Sequence, residues 1–386
     1  MENEIKRPNV LIAGFTGMIL FGVAFVIMGT VLPSLIRKFS LDTTTASTLA
    51  GLLPLGILLG SMLFGPVIDR FGYKKLIIIS SIITITGLEL LAFMNTIPSV
   101  RFSIFLIGLG GGILNGLTNA LVSDISNDKN RASNLSILGI FYTVGAIAIP
   151  LLFATLSKSI SYKSIVGGAG FIMVLPVIYY IIIKFPEAKF RQGFPVKRVL
   201  SMAKEPVILL MSFVLFFQSG LEGISNNWIP TYLGNEKGIE TQQAMLALTL
   251  LIIGIGTGRA LLGYLLRVLS KELILLTSVA VVASGMIIMN LIPTLTAAFT
   301  GSFLLGLGFA STFPVVLGHI GEKYKEISGT AFSFALVIAL TGNTLMNLYI
   351  GQISLQYFHM VVLAGAVAIA ILFITAMQIA KRKKHN

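Results

Sequence analysis

Phe105-Leu106-Ile107-Gly108-Leu109-Gly110 returns 198 residues later as Phe303-Leu304-Leu305-Gly306-Leu307-Gly308. The same offset lays Gly60 on Gly258 and Gly65 on Gly263. It brings Gly22 and Pro33 against Gly220 and Pro230, the second pair one residue closer together. Each copy of the hexapeptide opens an apolar run long enough to cross a bilayer, so the repeated unit is a block of membrane helices. A duplicated block of this kind reads as a device for moving solutes.

Composition supports the membrane reading. Of the 386 residues, 55% are hydrophobic and 11% charged, far from the quarter or so charged in a soluble domain. Runs of roughly 20 apolar residues, each able to span about 30 Å of hydrocarbon, predict helices over 10–36, 46–69, 74–95, 101–124, 132–157 and 164–184. The second half predicts 207–233, 241–267, 273–291, 295–319, 327–350 and 357–380. The expected fold is all-α and membrane-embedded, with twelve transmembrane helices. The expected domains are residues 1–184, a basic cytoplasmic linker over 185–206, and 207–386. The first apolar run exceeds a signal-peptide core and lacks a small-x-small cleavage pattern, so it is kept as the first helix.

The net charge of +13 invites a nucleic-acid reading, but its placement argues against one. With both termini cytoplasmic, the inner loops and tails hold 21 Lys and Arg, the outer loops hold 6, and Arg259 lies within a span. That bias is the positive-inside signal, so basicity reports orientation in a lipid bilayer, and no nucleic-acid partner is expected. The run Lys381-Arg382-Lys383-Lys384 suits anionic headgroups. The chain has no cysteine, which excludes disulfides and thiol chemistry. No metal-ligand cluster and no catalytic Ser-His-Asp pattern is present, with His319, His359 and His385 scattered; an enzyme or a signalling receptor is therefore a minor reading.

Between the second and third helices the chain reads Gly65-Pro66-Val67-Ile68-Asp69-Arg70-Phe71-Gly72-Tyr73-Lys74-Lys75. Read as bare chemistry, it is a charged hairpin whose glycines allow a tight reversal. Its spacing resembles the signature loop of the major facilitator superfamily, Gly-x-x-x-Asp-Arg-x-Gly-x-Lys, with Tyr73 where a basic residue is commoner. Twelve spans, the internal repeat and the basic central linker also match, so the resemblance covers essentially the whole chain. It implies two six-helix bundles, alternating inward-open and outward-open states, and action as a single chain. It also implies that Gly65, Asp69, Arg70, Gly72 and Lys74 form a gating loop.

A charge at the bilayer centre costs at least about 2.5–3.5 kcal/mol on the insertion scale, so each needs a reason. Glu222 lies mid-span in the seventh helix with Gln218 and Asn226 one turn to either side. Asn227 and Trp228 follow. Amide–carboxylate–amide stripes offer several hydrogen bonds in a row to a sugar's hydroxyls, and Trp228 could stack on a sugar face or sit in the aromatic belt. Three further candidates for a binding cavity are the pair Asn115 and Asn119, the pair Asn343 and Asn347, and Tyr142; helix packing explains them about as well. Arg259 reads as a counter-charge, Glu89 as peripheral, and His319 as interfacial.

Both the Gln218–Leu233 stretch and the Asn115–Ala146 stretch are similar to the fucose and glucose/galactose branch of that superfamily. Proton-coupled members carry acids in the first and fourth helices. Here the first helix has none, and Asn115 stands at the matching position of the fourth. Glu222 is then the candidate coupling group. No cofactor is expected; proton coupling, sodium coupling and uncoupled transport stay open. The reading is a secondary transporter of a small, neutral, hydroxyl-rich solute such as a monosaccharide, in a bacterial inner membrane. A drug or metabolite exporter of the same architecture is the alternative.

Overall fold

A computed structural model describes residues 7–127, 130–186, 202–324 and 328–385; the side chains of residues 65–70, 132, 203, 328–330 and 383–385 lie outside that description. Twelve helices among the described residues are long and apolar enough to cross a membrane. In the first half these are α1 (Arg7–Phe39), α2 (Thr43–Phe64), α3 (Phe71–Phe93), α4 (Ile97–Ile125), α5 (Arg131–Leu156) and α6 (Tyr162–Ile182). The second half supplies α7 (Pro206–Lys237), α8 (Thr241–Val268), α9 (Lys271–Leu291), α10 (Leu295–Lys323), α11 (Ser328–Ile350) and α12 (Phe358–His385). These spans follow the predicted ones within a few residues, because apolar length alone dictates them in a bilayer. Most of the predicted linker, 187–201, lies outside the described residues.

The expected loop between α2 and α3 is shorter than a charged hairpin loop would be. Helical backbone runs from Thr43 to Phe93 and is broken only at Gly72, with φ 72° and ψ 173°. That conformation is essentially reserved to glycine. The expected reversal sits at that one glycine: Gly108 and Gly110 of α4 meet Leu53 and Gly56 of α2 and Ser80 and Thr84 of α3 at the same level, and helix reaches the turn from both sides in place of a longer loop. The predicted gating side chains Asp69 and Arg70 belong to the residues whose side chains are outside the description.

Contacts divide the chain into two compact units, Met1–Leu41 with Leu52–Phe194, and Asp42–Gly51 with Pro195–Asn386. In the first, α1 packs on α4 and α5. In the second, α7 packs on α11 and α12, while α10 packs on α8 and α9.

The repeated glycines explain the internal pattern of each unit. A Cβ at Gly56 would meet the Phe105 carbonyl and the Leu109 N–H of α4; a Cβ at Gly254 would meet the Phe303 carbonyl and the Leu307 N–H of α10. Reciprocally, Gly108 faces the Leu53 carbonyl and Gly306 the Leu251 carbonyl. Every partner is displaced by the same 198 residues as the hexapeptides. In lipid, helices associate largely through close van der Waals packing, and small residues let backbones touch. The repeat first seen in the sequence is therefore one helix crossing, used twice.

Candidate functional site

The helix α7 carries most of the candidate chemistry, and its ends are well defined. Pro206 occupies its first turn, where a missing N–H is harmless. At the far end Gly238 closes it in the left-handed region at φ 64°, its N–H donating to the Leu233 carbonyl. Between them, nearly every residue from Gln218 to Leu233 is buried.

One face of α7 bears Gln218, Glu222, Ser225 and Asn226, related by three- and four-residue steps. Glu222 is 6% exposed. The Gln218 side chain donates through Nε2 to the Phe309 carbonyl of α10 at 3.0 Å, which orients the amide beside the Glu222 carboxyl. Arg259, on α8, acts on Glu222 as a favourable charge. Asn226 Nδ2 donates back to the Glu222 carbonyl at 3.0 Å, leaving Asn226 Oδ1 buried with no partner; Ser225 Oγ is in the same position. A buried polar atom without a hydrogen bond costs about 1–3 kcal/mol. This face therefore holds a titratable carboxyl next to unused acceptor and hydroxyl capacity.

The opposite face makes a polar seam with α11. Asn227 Nδ2 donates to Asn347 Oδ1 at 2.9 Å. Asn347 Nδ2 in turn donates to the Asn343 carbonyl and to Asn343 Oδ1, both at 2.9 Å. Asn343 Nδ2 reaches Ser219 Oγ at 3.5 Å. Gly223 is required here, because any Cβ would overlap the Asn343 amide. Asn227, Asn343 and Asn347 thus satisfy one another between two helices, away from the Glu222 face.

Trp228 lies on a third face. It is fully buried, seven residues beyond Leu221, which rests on Gly365 of α12, and four before Tyr232, whose ring centroid is 5.1 Å from that of Phe358. The structure puts the indole in the bundle interior, where the sequence allowed a sugar-stacking or an interfacial ring.

The first unit holds its own candidates. On α4, Asn119 is exposed and donates through Nδ2 to the Asn115 carbonyl at 2.8 Å and to Asn115 Oδ1 at 3.2 Å. On α5, Tyr142 is buried against Phe21 and Phe25 of α1, at centroid distances of 5.6 and 6.0 Å. Glu89 of α3 sits against Gly167 and Gly170 of α6, with Oε1 unpartnered. Of the signature stretch, Tyr73 donates to Asp124 Oδ2 at 2.7 Å. Lys74 Nζ donates to the Ile181 and Ile183 carbonyls at 2.7 and 3.0 Å. These three bonds tie the start of α3 to the ends of α4 and α6.

Sequence reasoning missed Ser225, although its spacing of three from Glu222 was readable. It read Arg259 as a counter-charge, and the packing of α7 against α8 supplies Glu222 as the acid it acts on. Among the described residues no group of three or more His, Cys, Asp or Glu could hold a metal.

Comparison with known proteins agrees with this architecture. The sequence profile described as Major Facilitator Superfamily matches residues 14–343. The chain is similar to the glucose/mannose transporter GlcP of Bacillus subtilis (strain 168), 23% identical over 356 residues, covering 85% of this chain and 86% of that one. It is also similar to a TsgA homolog of Erwinia tasmaniensis, 24% identical and covering 96% and 95%. Among solved structures, the nucleoside transporter NupG superposes with a TM-score of 0.80 at 15% identity, over 96% of this chain and 99% of that one. A D-xylose-proton symporter gives 0.78 at 15%, over 94% and 96%. With twelve apolar spans, a duplicated helix crossing and a profile match over most of its length, the chain belongs to the Major Facilitator Superfamily and is an integral membrane transporter.

Proposed function

We propose that this transporter carries a small, neutral, hydroxyl-rich solute, a monosaccharide above all, and that Glu222 both binds it and carries a coupling proton. The observation that supports this most is the α7 face. There Glu222 is buried beside Gln218, and Ser225 Oγ and Asn226 Oδ1 have no partner. A sugar hydroxyl both donates and accepts, so it can complete a carboxylate, an amide oxygen and a serine hydroxyl at once. An apolar drug would leave those atoms unsatisfied. The names of two relatives, a glucose/mannose transporter and a D-xylose-proton symporter, point to the same solute class.

In this reading Gln218, Glu222, Ser225 and Asn226 are ligands from the second unit, while Asn115, Asn119 and Tyr142 are candidates from the first. Asn227, Asn343, Asn347 and Trp228 hold α7 in place. Arg259 supplies the charge that steadies Glu222 once its proton has left. Two six-helix domains, 1–184 and 207–386, alternate access as single chains, with Gly65, Asp69, Arg70, Gly72 and Lys74 at the gate. The excess of Lys and Arg on one side orients both termini to the cytoplasm of a bacterial inner membrane.

The test is counterflow in proteoliposomes with labelled hexoses, deoxyhexoses and nucleosides, with and without pH or sodium gradients. Saturable hexose exchange that persists in Glu222→Gln, together with loss of proton-driven accumulation, supports the assignment. Unchanged accumulation and pH dependence in Glu222→Gln refutes the coupling role, and absence of exchange for every hydroxylated solute refutes the solute class.

A further inference from the structure

Away from the Glu222 face, the second unit holds a groove of about 500 Å³ between α7, α11 and α12. Phe217, Met346, Met360 and Gly365 line it, and Tyr349 and Tyr357 stand at the end where the chain passes from α11 to α12. From Phe358 to Gly365 the groove descends about 10 Å along α12, at 1.5 Å per residue. That depth lies within one leaflet of an approximately 30 Å core. Its mouth is open: Tyr349, Tyr357 and Met360 are each about half exposed on the surface of apolar spans.

We propose that this groove seats one acyl chain of a phospholipid, whose ester groups accept hydrogen bonds from Tyr349 and Tyr357. The surroundings argue for that occupant: Leu345 of α11 and Val367 and Ile371 of α12 are likewise exposed and apolar, a surface suited to hydrocarbon and not to water. The size agrees: about 10 Å of groove takes the part of a chain nearest the headgroup, and the rest runs on into the bilayer. The chemistry agrees as well, being apolar along its length with phenolic donors only at the shallow end, where Tyr is favoured at membrane interfaces. An occupied groove would also act on α7. Gly365 in its floor carries Leu221, the residue before Glu222, and Phe217 precedes Gln218. A seated chain therefore braces the turn of α7 that presents the polar face.

The single tryptophan of the chain gives a direct readout. Trp228 is fully buried and lies along α7 between Leu221 and Tyr232, which rest on Gly365 and Phe358 of α12, so lipid at the bundle surface is screened from it and a chain in the groove between α7 and α12 is the nearest source of bromine. The full-length protein is reconstituted in vesicles of phosphatidylcholine brominated on its acyl chains, and Trp228 fluorescence is compared with that in unbrominated vesicles. Ala364 lines the groove, so filling it with Ala364→Phe is expected to reduce quenching at least about twofold. Met360→Phe at the half-exposed rim serves the same comparison if Ala364→Phe fails to fold. Equal quenching in parent and filled variant, or none in the parent, overturns the proposal. So does relief of quenching by a soluble apolar solute at fixed lipid, which would give the groove to that solute.

Discussion

Adding one methyl group at Gly254 tests whether the duplicated crossing holds each unit together. In Gly254→Ala the new Cβ would lie 2.9 Å from the Leu307 nitrogen and closer still to the Phe303 carbonyl oxygen. Both atoms are backbone in the middle of α10, so neither can rotate away and the two helices must part. Overpacking of this kind costs about 1–3 kcal/mol, partly offset by the roughly 1 kcal/mol by which Ala outperforms Gly in a helix. Gly263, nine residues further along the same helix, has nothing within 4 Å of its would-be Cβ. Gly263→Ala therefore shows the propensity gain alone, and the difference between the two variants isolates the crossing. At about 2–4 °C per kcal/mol for a bundle of this size, Gly254→Ala should melt roughly 5 °C below Gly263→Ala in the same detergent. The first-half twin, Gly56→Ala against Gly168→Ala, should show the same gap. If Gly254→Ala melts with Gly263→Ala or above it, the close approach of α8 and α10 is not what the repeated glycines provide.

Three other outcomes follow from the same structure. Asn347→Leu removes the acceptor of Asn227 and the donor to Asn343; it should lower stability by about 1–2 kcal/mol, the range for interhelical polar contacts, and leave the apparent solute affinity in counterflow within about twofold. Tyr73→Phe loses one hydrogen bond to Asp124 and should destabilise by about 1 kcal/mol, read as a lower melting midpoint. Asp42 precedes α2 and is held below its ordinary 3.8 by hydrogen bonds from the Thr45 hydroxyl and N–H. Its folded value lies under the unfolded one, so the charged cap contributes fully above about pH 4 and fades as pH falls through the folded value. The gap in melting midpoint between parent and Asp42→Ala should accordingly be constant near neutrality and narrow in acid.

The fold was legible because the bilayer imposes a length requirement that composition meets visibly. The glycine repeat was legible because backbone contact in lipid admits few residue types. The reversal near Gly72 was legible from its glycines, but not its tightness, since helix on either side of a single left-handed residue looks the same in sequence as a short charged loop. At the site, Glu222 and Gln218 stood out because buried polar groups are scarce in a span. Which neighbour each face of α7 meets was hidden. Asn226 and Asn227 are adjacent in the chain, yet one backs the Glu222 face and the other joins α11. That separation follows from where α11 packs, which no single helix reveals. Trp228 illustrates the same limit, its burial depending on Leu221 and Tyr232 both lying against α12.

The seam between α7 and α11 also bears on how the chain enters the membrane. Asn227 finds its acceptor 120 residues later, on Asn347. At a synthesis rate of about 5–20 residues per second, α7 emerges roughly 6–24 seconds before the helix that satisfies it. During that interval Gln218, Glu222, Asn226 and Asn227 face either the insertion machinery or lipid. Biogenesis of the second unit therefore depends on sheltering one nascent helix until a distant one arrives.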